Sequence, residues 1–117
     1  MATELNLAAT NNATWTYSPL SLLVDDAPVA LPAGTTVRMQ LREAPDSVNV
    51  ALELTLENKL LTFQDEPAAV LALEVPAITM KDLPAGDYAY DVVVEQPSGR
   101  VVRPIFGKVT VAQGVTR

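Results

Sequence analysis

The fold is decided by residues 86–111, which read GDYAYDVVVEQPSGRVVRPIFGKVTV. Apolar and polar residues alternate in the first half of this stretch, and a period of two is typical of a half-buried strand. The inward positions are Tyr88, Tyr90, Val92 and Val94. The segment QPSGR at 96–100 places proline and glycine where a short reversal needs them, and a valine-rich strand follows. The stretch therefore predicts a β-hairpin with one buried face.

The same alternation recurs upstream and predicts further strands. Its inward positions are Val37, Met39 and Leu41; Val50, Leu52, Leu54 and Leu56; and Leu71, Leu73 and Val75. The polar break ENK at 57–59 predicts a hairpin, residues 78–83 predict a short helical turn, and residues 15–24 predict one strand or two, broken at Pro19. About seven to nine short strands with turn signals every ~8–12 residues indicate a β-sandwich or small barrel. We expect an all-β, immunoglobulin-like sandwich of antiparallel strands.

Composition excludes several classes of protein. The 117 residues fit one domain, and they include neither cysteine nor histidine. A disulfide, a thiolate metal site and the commonest general base are therefore ruled out. The net charge of −6, with scattered basic residues, opposes binding to a nucleic-acid backbone.

The termini predict neither a signal peptide nor a membrane anchor. MATELNLAATNN lacks the basic and apolar regions of a secretory signal, and no apolar run approaches the ~18 residues that span a bilayer. We expect a soluble protein made in the cytoplasm, without membrane contact. Residues 1–12 are predicted to form a flexible N-terminal arm, residues 13–113 the sandwich, and residues 114–117 a short C-terminal tail.

The acidic residues offer little chemistry. They cluster at Asp25–Asp26, Asp65–Glu66 and Asp82/Asp87/Asp91, in or beside turns, where aspartate favours the local backbone. Glycoside hydrolysis needs two carboxylates held across a sugar-binding cleft, and calcium loops have a D-x-D-x-D-G spacing that this chain lacks. We predict no catalytic residues, no metal site and no cofactor, and hence a protein that is not an enzyme.

The aromatic residues allow two interpretations. Trp15, Tyr17, Tyr88 and Tyr90 would make a sugar-stacking platform if exposed, and a carbohydrate-binding module is the alternative function. In a small sandwich such residues more often anchor the core. Tyr88 follows the LPAG turn that ends at Gly86 and opens a strand, as the tyrosine of a tyrosine corner does. Tyr90 stands where an immunoglobulin domain would have its second cysteine.

The strand from 101 to 111 is a candidate docking edge for a partner protein. Pro104 cannot donate a hydrogen bond to a neighbouring strand, so the strand should lie at a sheet edge or be bulged there. Its charges would protect an edge against uncontrolled pairing. The candidate docking residues are Arg100, Arg103, Pro104, Phe106 and Lys108.

From about residue 14 onward the chain resembles small immunoglobulin-like proteins of tailed bacteriophages and prophages. It is also similar to the N-terminal domain of phage upper baseplate proteins. The shared features are a G-x-Y-x-Y-D strand (GDYAYD, 86–91), a hairpin containing x-G-x, and a final G-x-V-x-V (GKVTV, 107–111).

The resemblance implies a structural protein of the phage particle that acts through protein–protein contacts. It would be a decoration or accessory subunit of the head, neck, tail or baseplate. Its partners would be other virion proteins, with homo-oligomers on the particle. Its final location would be the virion, after synthesis in the host cytoplasm. The helical or receptor-binding extension of baseplate proteins is missing, which favours a stand-alone accessory subunit.

Overall fold

A computed structural model describes residues 3–24, 26–65 and 68–116. Within these ranges the chain forms strands and one short helix. The elements are β1 (Thr3–Glu4), β2 (Leu7–Thr10), β3 (Trp15–Ser21), β4 (Leu23–Val24), β5 (Ala27–Pro28), β6 (Thr36–Arg42), β7 (Leu52–Thr55), β8 (Leu61–Asp65), β9 (Val70–Val75), α1 (Ala77–Met80), β10 (Gly86–Glu95) and β11 (Val101–Ala112). The all-β prediction is confirmed, and α1 is the helical turn expected within 78–83.

The strands form two main sheets that share one hydrophobic core. The larger has the order β1–β11–β10–β6–β7, with β2 also paired to β11, and the smaller has the order β3–β9–β8. β4 and β5 pair with each other in a third, two-stranded sheet. Inward side chains of both main sheets belong to one buried cluster, so the arrangement is sandwich-like.

The predicted alternation places most of the core correctly. The inward residues of β6, β9 and β10 are all buried, at Val37, Met39, Leu41, Leu71, Leu73, Val75, Tyr88, Tyr90, Val92 and Val94. On β7 Leu54 is fully buried and Leu52 is half-buried. Val50 was also expected to face inward, but it lies in the loop before the strand and is exposed. The period-two pattern therefore identified the core except where a strand was assumed to begin too early.

The turn at 96–100 joins β10 and β11 as a hairpin, as predicted. The Gly99 N–H donates to the Gln96 carbonyl at 2.9 Å, which closes the turn, and Gly99 takes a φ of 91°. The register shifts between Val92 and Val94, opposite Pro104. The strand is therefore bulged at this proline, one of the two arrangements expected from its missing N–H.

The prediction that β11 is an edge strand is wrong from Ile105 onward. β1 and β2 pair with it in parallel on the side away from β10, with Thr3 opposite Ile105 and Leu7 opposite Val109. The described part of the predicted N-terminal arm thus lies in the larger sheet, and Leu7 is buried. These strands take up hydrogen-bonding groups of β11 that a partner would otherwise use.

The prediction of a hairpin at 57–59 is also wrong, because β7 and β8 belong to different sheets. The Asn58 carboxamide accepts from the Thr55 N–H and donates to the Glu53 carbonyl, each at 3.0 Å. It thereby takes the backbone groups of β7 that a hairpin partner would need. Lys59 then adopts a φ of 66°, and the chain crosses to the smaller sheet.

No helix within the described ranges has the length and apolar character needed to cross a bilayer.

Candidate functional site

The outer face of the larger sheet carries four of the charged residues that the sequence singled out, namely Asp87, Asp91, Arg103 and Lys108. We use "outer face" for the side chains of β6, β7, β10 and β11 that point away from the core. On β10 and β11 it is built from facing pairs, with Asp91 opposite Phe106 and Ala89 opposite Lys108. β6 contributes Arg42 and its neighbours beside β10.

Arg103 is held in a defined orientation on this face. It lies in the β11 bulge, where its Nε donates to Asp91 Oδ2 at 2.8 Å. Its Cζ lies 4.6 Å from the centre of the Phe106 ring, a cation–π distance. The side chain of Arg103 remains 51% exposed, so the ion pair contributes little to stability. Its main effect is to orient the guanidinium.

Arg42 reaches the same region from β6. Its Nη1 donates to the Ser47 carbonyl at 2.6 Å, and its Nη2 donates to Gln40 Oε1 at 2.8 Å. Gln40 in turn donates to Glu53 Oε2 at 2.5 Å. Both groups that accept hydrogen bonds from Arg42 in these contacts are neutral. The bonds therefore orient the guanidinium without neutralising its charge.

The two arginines flank a depression of about 220 Å³. Its lining includes the small residues Ala89 and Gly107 and the aromatic ring of Phe106. Among the residues that the structure describes, two positive side chains and one negative side chain, Asp91, line it. The site is therefore a concave, net positive patch on an acidic chain.

A wider, open hollow of about 700 Å³ lies elsewhere on this sheet. Within the described part of the chain its charged lining consists of Arg38 with Glu53, Glu57 and Glu95, and no aromatic ring lines it. This second hollow is net negative. The same sheet thus carries regions of opposite charge.

The tyrosines of the GDYAYD strand have structural roles. The Tyr88 hydroxyl donates to the Pro84 carbonyl, four residues upstream, at 2.5 Å, which is the hydrogen bond of a tyrosine corner. Burial, with a smaller effect of Glu43, raises the pKa of Tyr88. Gly86 opens β10 with a φ of 147°, a conformation that favours glycine.

Tyr90 connects the core to the N-terminal segment. Its hydroxyl donates to the Leu5 carbonyl at 2.5 Å, across 85 positions of sequence. Burial raises the pKa of Tyr90 strongly, and the nearby Tyr17 adds to the effect. The Tyr90 ring fills part of the core, and its hydroxyl anchors the segment between β1 and β2.

The predicted docking residues are distributed over different environments. Arg103 and Phe106 flank the depression, and Lys108 lies on the same sheet opposite Ala89. Pro104 is buried, and Arg100 lies in the 96–100 turn. The sequence therefore found two residues of the depression, but it placed Phe106 on a free strand edge that β1 in fact covers.

The aromatic platform needed for the carbohydrate alternative is not formed. Trp15, Tyr88 and Tyr90 are buried, with exposures of 5%, 3% and 4%, and Tyr17 is half-buried. Their rings belong to or pack against the core. The buried rings of Trp15, Tyr88 and Tyr90 therefore offer a sugar no face on which to stack.

The acidic residues are engaged locally. Asp87 accepts from the Thr110 hydroxyl at 2.9 Å, and Asp91 pairs with Arg103. Asp25 and Glu66, which were part of the predicted acidic clusters, lie outside the described residues. Across the rest of the chain, residues 3–24, 26–65 and 68–116, no group of three or more acidic side chains could hold a metal ion.

Sequence reasoning missed Arg42 and Gln40 as site residues. The alternation of β6 did place both outward. Their position beside Arg103 depends on the strand order β11–β10–β6, which no local signal in the sequence specifies.

No known protein-family profile matches this chain. A search of curated proteins likewise finds no significant match.

Proposed function

We propose that the chain is a non-enzymatic structural protein of a tailed bacteriophage particle, acting through protein–protein contacts. It would be a decoration subunit or an accessory subunit of the head, neck, tail or baseplate, with other virion proteins and copies of itself as partners. The phage assignment rests on the resemblance of the GDYAYD and GKVTV segments.

We also infer that the fold is immunoglobulin-like. The strand order supports this inference. If β3, β6, β7, β8, β9, β10 and β11 are taken as strands B, C, C′, D, E, F and G, one sheet reads G–F–C–C′ and the other B–E–D. These are the groupings of that fold, and Tyr88 at the start of β10 corresponds to the tyrosine corner of strand F.

One observation carries the binding role: the concave part of the outer face is lined by Arg42, Arg103 and Phe106. Arginine and aromatic side chains are enriched at protein interfaces and among the residues that dominate binding energy. Here the strand ladders and the tyrosine bonds hold them on rigid elements. A partner would meet a largely preformed surface.

Purified virions from the source phage test the proposal. Mass spectrometry should find the chain in amounts that match other structural subunits, and its absence would refute the phage assignment. Incorporation of a Phe106→Ala variant into particles should fall severalfold. Lys59→Gln changes an exposed residue at the corner between the sheets and should leave incorporation unchanged.

A further inference from the structure

We propose that the depression between Arg42 and Arg103 binds the carboxylate side chain of an acidic segment of a partner protein. This inference rests on the proposed protein-binding function and adds the chemistry of the partner.

The positive charges favour an anionic ligand. Arg103 uses Nε for Asp91, which leaves its two Nη groups outside that ion pair. Arg42 is oriented by Gln40 and a backbone carbonyl, both neutral. Guanidinium groups match carboxylates in geometry, and charge-assisted hydrogen bonds are stronger than neutral ones. The depression therefore offers two oriented cations against the one carboxylate in its lining.

The size of the depression favours a single side chain. Its volume of about 220 Å³ lies below the usual range for small-molecule pockets, ~300–1,000 Å³. Ala89 and Gly107 lack side chains that would fill it, and the Phe106 ring provides an apolar wall for a methylene stem. An aspartate or glutamate side chain has the matching combination of short stem and charged end.

The charge of the whole molecule argues against a nucleic acid. At −6 the chain repels an extended phosphate backbone, whose binding requires several basic contacts. Glu53 and Asp91 on the same sheet add to that repulsion. One partner carboxylate can approach the depression because the two guanidinium groups lie at its walls.

A pair of blocked pentapeptides tests the proposal. One carries a single glutamate in an alanine background, and the other carries glutamine instead. In NMR titrations the glutamate peptide should shift the Ala89 and Gly107 amide signals and the Arg103 Nε–H signal saturably. The expected dissociation constant is on the order of millimolar, as for a single-side-chain contact. The glutamine peptide should leave these signals in place.

Variants test whether the glutamate peptide binds at the depression. Arg103→Gln should weaken binding about tenfold or more, because it removes a charged donor. Arg103→Lys should fall between this variant and the original chain, since it keeps the charge but loses the planar fork. Lys59→Gln removes one positive charge at an exposed residue that does not line the depression, and it should bind within about twofold of the original. Urea unfolding midpoints establish that each variant is folded.

Several results would overturn the proposal. These are equal shifts with both peptides, no saturable shift with either, binding that survives Arg103→Gln, or tighter binding of inorganic phosphate at the same signals. The outcome is separable from the phage assignment. If the chain binds the glutamate peptide but is absent from virions, only the phage assignment is refuted. If the chain is present in virions but does not bind the peptide, only this inference is refuted.

Discussion

Gly107 lies where the N-terminal segment passes closest to β11. A Cβ atom at this position would lie 2.9 Å from the Leu5 carbonyl carbon, and closer still to its oxygen. It would also lie 3.1 Å from Asn6 Oδ1. The nearest atoms are backbone, so a flexible side chain cannot simply move aside. We therefore expect Gly107→Ala to displace the segment that joins β1 to β2.

The cost follows from the hydrogen bonds at this crossing. They are Leu5 N–H to the Phe106 carbonyl at 2.8 Å, the Tyr90 hydroxyl to the Leu5 carbonyl at 2.5 Å, and Lys108 N–H to Asn6 Oδ1 at 3.1 Å. Each bond contributes about 0.5–1.5 kcal/mol net. Loss of all three should lower the free energy of unfolding by about 1.5–4.5 kcal/mol.

Urea unfolding and amide hydrogen exchange measure this effect. The Leu5 and Lys108 amides should lose protection in Gly107→Ala. Gly99→Ala is the matched control, because Gly99 has a φ of 91° but no atom of the described residues lies within 4 Å of its Cβ position. It should cost only the backbone strain of about 1–2 kcal/mol. If Gly107→Ala loses no more stability than Gly99→Ala, and the two amides stay protected, the close approach does not restrict this position.

Three further outcomes are expected. Tyr88→Phe loses the bond to the Pro84 carbonyl and should lower the unfolding free energy by about 0.5–1.5 kcal/mol; an unchanged urea midpoint would contradict that role. Because the pKa values of Tyr88 and Tyr90 are raised in the folded protein, the unfolded chain loses these protons first, so stability should fall as pH rises above 10.0. Tyr90→Phe should flatten this decline, and an equally steep pH profile would refute the assignment. Asn58→Ala uncovers the β7 edge and should cause concentration-dependent association in light scattering, whereas Asn49→Ala should stay monodisperse if the original chain does.

Local signals predicted the parts of the fold that depend on neighbouring residues. The β10–β11 hairpin follows from the alternation of β10 and from Pro97 and Gly99 in the turn. The hydrogen bond of Tyr88 reaches only four residues back, so its role could be inferred from the turn that precedes it. The bulge at Pro104 follows from the missing N–H of one residue.

Predictions about pairing failed where the partner is distant in sequence. The proline and charges of β11 suggested an edge, but residues about a hundred positions earlier pair with the strand from Ile105 onward. Nothing within β11 signals that covering strand except Gly107, whose missing side chain admits Leu5. At 57–59 the turn signal was real, but a turn between sheets and a hairpin turn use the same residue types.

The sequence by itself determined the all-β class, the inward faces of the strands and the scaffold role of Tyr88, since alternation and turn chemistry act over a few residues. Only the tertiary structure decided that β1 and β2 pair with β11, and that Arg42 lines the same depression as Arg103. Strand order depends on which distant edges satisfy their hydrogen bonds and bury their apolar faces together. That choice belongs to the whole chain and has no local sequence signal.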